Sequence, residues 1–190
     1  GASSGIGQAI AVRFGEEGAN VGVNYLADAG EAEETQRRIE GYRACADAVR
    51  SCGGRVSLVQ ADVSDEAQVE AMFDQTVDEL GGLDILVNNA GIQVAGESHE
   101  LDVESFDNVL AVNLRGAYLC CRSMIRYLLQ NDRPGSLVNV SSVHQVIPKP
   151  RFVGYSASKG GMQNLTRTLA LEYAGRGIRV NGVGPGATRS

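Results

Sequence analysis

Tyr155 and Lys159 stand four residues apart in the run Tyr155-Ser156-Ala157-Ser158-Lys159, so on a helix they share one face. A tyrosine hydroxyl has a pKa of about 10 and is a poor base at neutral pH. An ammonium beside it favours the phenolate, and the pair can then take or give a proton at about pH 7. Taken alone, such a pair is usually part of a solvated helix face; a chemical role needs company. Ser141-Ser142 closes an apolar run shortly before it, Asn88-Asn89-Ala90-Gly91 closes another, and Asn113 falls in the helical pattern that follows. In an α/β sheet, ligands bind at the C-terminal edge of the strands, where these groups would meet.

A second chemistry is written at the start of the chain. Gly1-Ala2-Ser3-Ser4-Gly5-Ile6-Gly7 has the spacing G-x-x-x-G-x-G and opens a helical pattern. Glycines allow a tight turn and close approach of a pyrophosphate, while a helix N-terminus offers free N–H groups and a positive dipole end. The same residues also spell Gly1-x-Ser3-x-Gly5, the nucleophile elbow of α/β hydrolases, with Asp102 and His144 following in triad order. On this segment alone, a phosphate-binding turn, a plain glycine turn and a hydrolase elbow all stay open.

The elements that must position these groups alternate along the chain. Apolar runs at 19–25, 55–63, 83–88, 136–141 and 178–183 are rich in Val, Ile and Leu, and several are continuous, as in strands buried on both faces. Between them lie helical patterns. Ile6, Ile10 and Phe14 fall at i, i+4 and i+8 before a stop at Gly18, and Glu31–Ser51 follows. Ser64 is a plausible N-cap for the next pattern. Longer ones run over 103–130 and 155–174, the last ending near Gly175. Alternation of this kind predicts βαβ units in an α/β, Rossmann-like doubly wound parallel sheet of three layers, α/β/α. No repeat or linker divides residues 1–190, which read as a single nucleotide-binding domain. Both ends read as cut: the glycine-rich turn should follow a strand, and the sheet would lack its central one.

Composition narrows the function. Seventeen Lys+Arg against 23 Asp+Glu give a net charge of −6, which argues against a nucleic-acid binder. No apolar run approaches the roughly 20 residues of a membrane span. The four cysteines, Cys45, Cys52, Cys120 and Cys121, have no metal-ligand spacing, so no metal is expected and reduced thiols in a cytoplasmic protein are. Gly is over-represented at 24 of 190, with no low-complexity tract to account for it; specific loops must.

Taken in order, Gly1/Gly5/Gly7, Asp62-Val63, Asn88-Asn89-Ala90-Gly91, Asn113, Ser142, Tyr155/Lys159 and Pro185-Gly186 resemble the motifs of a classical short-chain dehydrogenase/reductase from Gly1 to Ser190. Ser141–Pro148, Leu169–Ala174 and Gly184–Ala187 are similar in wording to bacterial glucose 1-dehydrogenases, and much of that wording is shared with 3-oxoacyl-carrier-protein reductases. The resemblance implies an NAD(P)-dependent oxidoreductase moving hydride between the CH–OH group of a sugar or secondary alcohol and nicotinamide. It implies Tyr155 as catalytic base, Lys159 lowering the tyrosine pKa and holding the nicotinamide ribose, Ser142 orienting the substrate oxygen, and Asn113 holding a water of a proton relay. His144 could line a sugar pocket or sit on a surface loop. Cofactor contacts would come from Gly1, Ser3, Ser4, Gly5, Ile6, Gly7, Tyr25, Asp62, Val63, Asn89, Ala90, Gly91, Tyr155, Lys159, Pro185 and Gly186. Members are mostly homotetramers or dimers built on the helices around Asn113 and Tyr155. Against this, a hydrolase using Ser3 leaves Tyr155 and Lys159 without a task, and a nucleotide-binding fragment without turnover is a further alternative.

Two departures from the family pattern matter. Tyr25 stands where NAD-selective members end the second strand in a carboxylate, so a 2′-phosphate is not repelled, yet Leu26 and not a cation follows. Ser3 could hydrogen-bond a phosphate. NADP or NAD is expected, with NADP slightly favoured. The segment 30–53 is also some eight residues longer than usual, which predicts either a lengthened helix or a second short one with Gly41 as the break. Its charges, Glu31, Glu33, Glu34, Arg37 and Arg38, read as a solvated face.

Overall fold

A computed structural model of the protein describes residues 1–46 and 54–187 as two compact units. The first comprises Gly1–Asp62 with Glu70–Gly82; the second comprises Val63–Val69 and the chain from Leu83 onward.

In the first unit, α1 (Gly5–Glu16), β1 (Val21–Tyr25), α2 (Ala29–Ala46) and β2 (Val56–Gln60) follow one another. The strands pair in parallel from Val21↔Val56 to Tyr25↔Gln60, with α2 as the crossover, a βαβ unit. Ala11, Val21, Val23, Ala32 and Ile39 form its core. The helices α1 and α2 come very close at Gly15, where a Cβ would lie 2.4 Å from Cγ2 of the buried Ile39. On α2, Ala32, Thr35 and Ile39 are all wholly buried at i, i+3 and i+7, and Glu34 pairs with Arg37 and Arg38 on the solvated face. Gly41 does not break this helix, which runs unbroken to Ala46. A glycine costs a helix only about 1 kcal/mol, too little to stop one docked on a core. The rest of the expected 31–51 helix, with Cys52 and the Cys45 side chain, lies outside the described residues.

In the second unit, β3 (Ile85–Asn88), β4 (Gly135–Val140) and β5 (Ile178–Val183) form a parallel sheet in the order β3-β4-β5. The register runs Ile85↔Ser136 to Asn88↔Asn139 and Gly135↔Ile178 to Val140↔Val183. The three C-terminal ends therefore share one edge. Leu137 and Ile178 are wholly buried, as are Met124 and Leu128 of α5 (Gly116–Gln130). Gly135 lets α5 approach, since a Cβ there would meet Leu128 Cδ1 at 2.4 Å.

The expected long helix over 103–130 is α4 (Val103–Leu110), a π turn at Ala111–Arg115, and α5. The last helix, α6 (Val153–Tyr173), ends in a short 3-10 turn and then at Gly177, whose φ of +71° supplies the left-handed stop expected nearer Gly175. The expected N-cap at Ser64 is also displaced. The helix α3 (Glu66–Leu80) begins two residues later, and the Asp65 carboxylate accepts from Gln68 N at 2.9 Å. An N-cap oxygen must reach the third helical amide, which Asp65 does and a residue one position earlier does not.

Parallel sheets flanked by helices are thus the architecture, as the periodicity predicts. Among the described residues no helix is long and apolar enough to cross a membrane. Cys120 and Cys121 are buried free thiols pushed up to about 12 by burial, which makes them inert.

Candidate active site

The sheet edge of the second unit collects the expected catalytic groups. Lys159, on the second turn of α6, is almost wholly buried and donates from Nζ to the Val140 carbonyl at 2.9 Å, the last residue of β4. Burial lowers its pKa from 10.5 to about 8. Its Nζ stands 5.6 Å from the centroid of the Tyr155 ring, one turn earlier on α6. Ser141 Oγ donates to the Lys159 carbonyl at 3.3 Å, tying the end of β4 to α6.

Ser142 starts the 3-10 turn Val143–Gln145 and its Oγ accepts from His144 N at 3.2 Å. That fixes the hydroxyl oxygen while leaving its proton free to donate. The half-buried His144 is not a loose surface residue. Its Nδ1 lies 2.8 Å from the Ile147 carbonyl, so Nδ1 carries the proton, and its ring meets the Tyr155 ring edge-on at 6.1 Å between centroids. Pro185 and Gly186 follow β5 to the same edge, where Val143 N donates to the Pro185 carbonyl at 3.0 Å.

Asn113 sits inside the π turn and is wholly buried. Such single-turn π segments are frequent at functional sites. The carboxamide accepts from Ile92 N at 2.8 Å and donates to Ile92 O and Ser158 Oγ at 2.9 and 3.0 Å. It therefore ties Ile92, next to Asn89-Ala90-Gly91, on one side to α6 on the other. Gly91 packs closely here: a Cβ would lie a tight 3.3 Å from Asn113 Oδ1 and in ordinary contact, 3.7 Å, with Lys159 Nζ. Val63 closes on Gly116 at the start of α5, where a Cβ would come within 3.0 Å of it.

A buried polar chain supports this edge. Asn88 Nδ2 donates to Asn139 Oδ1 at 2.9 Å, and Asn139 Nδ2 donates to Thr166 Oγ1 at 2.9 Å. These bonds join β3, β4 and α6 under the site. Ser158, which bridges Asn113 to the Tyr155 carbonyl at 2.7 Å, was not singled out in the sequence. Its signal was there: a small polar residue just before Lys159, on the face of α6 that turns inward.

The glycine-rich turn lies in the first unit. Gly5 has φ +55° and nothing within 4 Å of a Cβ position, so the space above it is open. Ser4 is the N-cap of α1 yet makes no side-chain cap bond, and Ser4, Gly5 and Ile6 are exposed while Gly7 is buried. The first N–H groups of α1 are thus presented to an anion without competition from a side chain. Ala61 N donates to the carbonyl of Tyr25, which ends β1 half-buried beside an exposed Leu26, and Asp62 follows. Within the first unit, the open N-terminus of α1 fits the phosphates of a dinucleotide.

The two partners a Ser3 triad would need are engaged elsewhere. Asp102 is the N-cap of α4, its carboxylate accepting from Ser105 N at 2.6 Å, and the His144 Nδ1 that a triad would turn to a carboxylate faces the Ile147 carbonyl instead.

A family model described as short chain dehydrogenase matches residues 1–190. A 3beta-hydroxysteroid dehydrogenase 1 of Eggerthella lenta is 49% identical over 187 residues, covering 98% of this chain and 68% of that protein. A glucose 1-dehydrogenase of Gluconobacter oxydans is 47% identical over 187 residues, covering 98% of this chain and 66% of that protein. The chain thus spans about two thirds of the length of these relatives. A crystal structure of a dehydrogenase/reductase from Sinorhizobium meliloti 1021 superposes with a TM-score of 0.87 at 38% identity, over 99% of this chain and 70% of that one.

Proposed function

From the premise that this chain belongs to the short-chain dehydrogenase family of NAD(P)-dependent oxidoreductases, we propose that the whole protein oxidises the CH–OH group of a sugar or secondary alcohol, in the manner of a glucose 1-dehydrogenase. One observation carries the reading: a lysine buried beside a tyrosine ring, at a sheet edge that also presents a serine hydroxyl.

Tyr155 takes the proton of the substrate hydroxyl. Ser142, its oxygen held by His144 N, donates its own proton to the substrate oxygen and orients the carbinol. Lys159, held by Val140 O, keeps a positive charge beside the phenolate and so favours it. Asn113, whose carboxamide bonds Ile92 and Ser158, holds the π turn and α6 in place and would hold the water of a proton relay. A nicotinamide group held beside these residues would supply the hydride acceptor for the carbinol carbon. The uncapped start of α1, with Gly1, Ser3, Ser4, Gly5, Ile6 and Gly7, would hold its phosphates. Asn89, Ala90 and Gly91, with Lys159, would hold its ribose end. A carboxylate is absent at Tyr25, so NADP is used at least as well as NAD. The reading includes a cytoplasmic location, which cell fractionation tests, and a homo-oligomer, which light scattering tests.

A second reading is favoured by one feature. Val143, Val146 and Ile147, on the turn after Ser142, are exposed to 38%, 67% and 67%, an apolar rim suited to a bulky hydrophobic secondary alcohol. The 3beta-hydroxysteroid dehydrogenase relative makes that substrate class worth assaying. The experiment is reduced-cofactor formation from glucose, small polyols and a fused-ring secondary alcohol, with acyl-carrier thioester reduction as a fourth arm. Dinucleotide binding without turnover on any arm would overturn the catalytic reading and leave a binding module.

A further inference from the structure

We propose that Thr35 of α2, with Gln8 of α1, is a positioning residue for dinucleotide binding: it clamps the carbonyls of the glycine-rich turn so that the turn's N–H groups face outward. The inference rests on the reading that this turn holds the cofactor phosphates.

Thr35 lies on the core face of α2 between Ala32 and Ile39, a place where an apolar residue would be ordinary. It is wholly buried, so its hydroxyl must be satisfied from within the protein. Its Oγ1 lies 3.3 Å from Ala2 O, 3.2 Å from Ser3 O and 3.0 Å from Glu31 O. A hydroxyl has one proton, so three carbonyls compete for it. Gln8 relieves the competition. Its Nε2 carries two protons and lies 3.0 Å from both Ser3 O and Thr35 Oγ1. With Gln8 serving Ser3 O, the Thr35 proton is left to Ala2 O and to its own helix.

The orientation of the Gln8 amide is forced by Arg38. A guanidinium only donates, and Arg38 Nη1 lies 3.2 Å from Gln8 Oε1, so the amide nitrogen must face the turn. Arg38 is itself held by Glu34, whose Oε1 accepts from its Nε at 3.0 Å. The contact depends on α2 lying close against α1, which Gly15 permits by leaving room for Ile39.

The consequence follows from peptide geometry. In a planar trans peptide the C=O and the next N–H point opposite ways. Drawing Ala2 O and Ser3 O toward α2 turns the N–H groups of Ser3 and Ser4 away from it, toward the exposed side of the turn. Ser4 does not cap α1 with its side chain, and Gly5 adopts φ +55°, so these amides join the first amides of the helix as one row of donors. An anion finds them already aimed, and the ordering cost is met during folding.

The test compares wild type with Thr35→Val, Thr35→Ser and Gln8→Met. Each is checked by thermal melting, then titrated with NADPH and NADH by fluorescence, and assayed for kcat at saturating cofactor. We expect Thr35→Val to weaken dinucleotide binding about tenfold while kcat changes less than about twofold, the signature of lost binding rather than lost chemistry. Thr35→Ser, which keeps the hydroxyl, should bind within about twofold of wild type. In the free protein, the amide chemical shifts of Ser3 and Ser4 should move in Thr35→Val and stay near wild type in Thr35→Ser. Unchanged affinity in a folded Thr35→Val, or a Thr35→Ser as weak as Thr35→Val, overturns the clamp alone. A wild type that binds neither dinucleotide overturns the phosphate-binding reading and the clamp with it. Should Thr35→Val fail to fold, Gln8→Met makes the same comparison from a partly exposed site, and unchanged binding there overturns the clamp.

Discussion

The Lys159 ammonium stands 5.6 Å from the centroid of the Tyr155 ring and is held there by the carbonyl of Val140. The tyrosine and the lysine belong to one helix, but the anchor belongs to the neighbouring strand. Helix α6 alone would leave a long, rotamer-rich lysine free to extend into water. The strand end removes that freedom, and burial then shapes the titration of the amine.

Replacing Tyr155 by Phe should remove nearly all of kcat while leaving cofactor affinity within a few fold. A positioned general base is typically worth about 10²–10⁴-fold, and a phenyl ring cannot carry a proton. Steady-state rates with a panel of alcohols, beside a dinucleotide titration, check this. A mutant retaining more than about a tenth of the wild-type rate assigns the base elsewhere, since even the low end of that range is larger. Ser3→Ala, by contrast, should be mild, because the backbone of the glycine-rich turn and not its hydroxyl meets the phosphates.

Lys159 gives stability a characteristic pH dependence. Its folded pKa is lowered to about 8 from 10.5 by burial. Below the lower value the amine is protonated in both states and the full cost of burying the charge is present. Between the two values the unfolded chain binds more protons than the folded one, so stability rises with pH. The stability of wild type relative to Lys159→Met should therefore climb between pH 8 and 10.5 and level off beyond. Urea unfolding of both proteins across that window reads the difference. A flat or falling difference would show the lysine to be solvated.

The parts of this architecture legible in the sequence are those that short-range physics governs. Strand–helix alternation gave parallel sheets, and the i, i+4 spacing put Tyr155 and Lys159 on one helix face. What escaped depended on distant partners. Nothing near Asn113 announces a π turn, because the widened turn is held by Ile92 and Ser158, far away in the chain. A lengthened helix and a break at Gly41 stay equally open in the sequence, because local propensity carries no knowledge of the core on which α2 docks. Ser64 and Asp65 are equally good caps by type, and a one-residue difference in helix start decided between them. For His144 the sequence leaves a pocket lining and a surface loop both open, since the 3-10 turn that aims its ring at Tyr155 is set by Ser142 Oγ and Ile147 O.

Cofactor choice should respond to Tyr25. An acid at the end of β1 would accept from a ribose 2′-OH and repel a 2′-phosphate. Tyr25→Asp should therefore move kcat/KM toward NAD, by about tenfold or more, equivalent to about 1.4 kcal/mol. Wild type should use NADP at least as well as NAD. A wild-type preference for NAD above that factor, or no response to the substitution, would place selectivity outside β1.

Two glycines on the first unit's helices should respond in opposite ways. Gly41 lies inside α2, exposed, with nothing within 4 Å of a Cβ position and no left-handed φ. An alanine there meets no obstacle and restricts the unfolded chain, so Gly41→Ala should stabilise by about 0.5–1 kcal/mol. Gly15 is buried, and a Cβ would sit 2.4 Å from Ile39 Cγ2 and 3.2 Å from Ile39 Cβ. Those atoms are at the branch point of a wholly buried side chain, which cannot swing aside, so the helices must part. Overpacking of this kind costs about 1–3 kcal/mol, and Gly15→Ala should lose that much. Denaturant unfolding of the two variants gives both signs in one experiment. If Gly15→Ala were neutral, α1 and α2 would not be in the close contact that brings Thr35 under the glycine-rich turn, and that variant would be expected to bind dinucleotide like wild type. With the contact as described, parting the helices should weaken dinucleotide binding as well as stability, whereas Gly41→Ala should change stability alone.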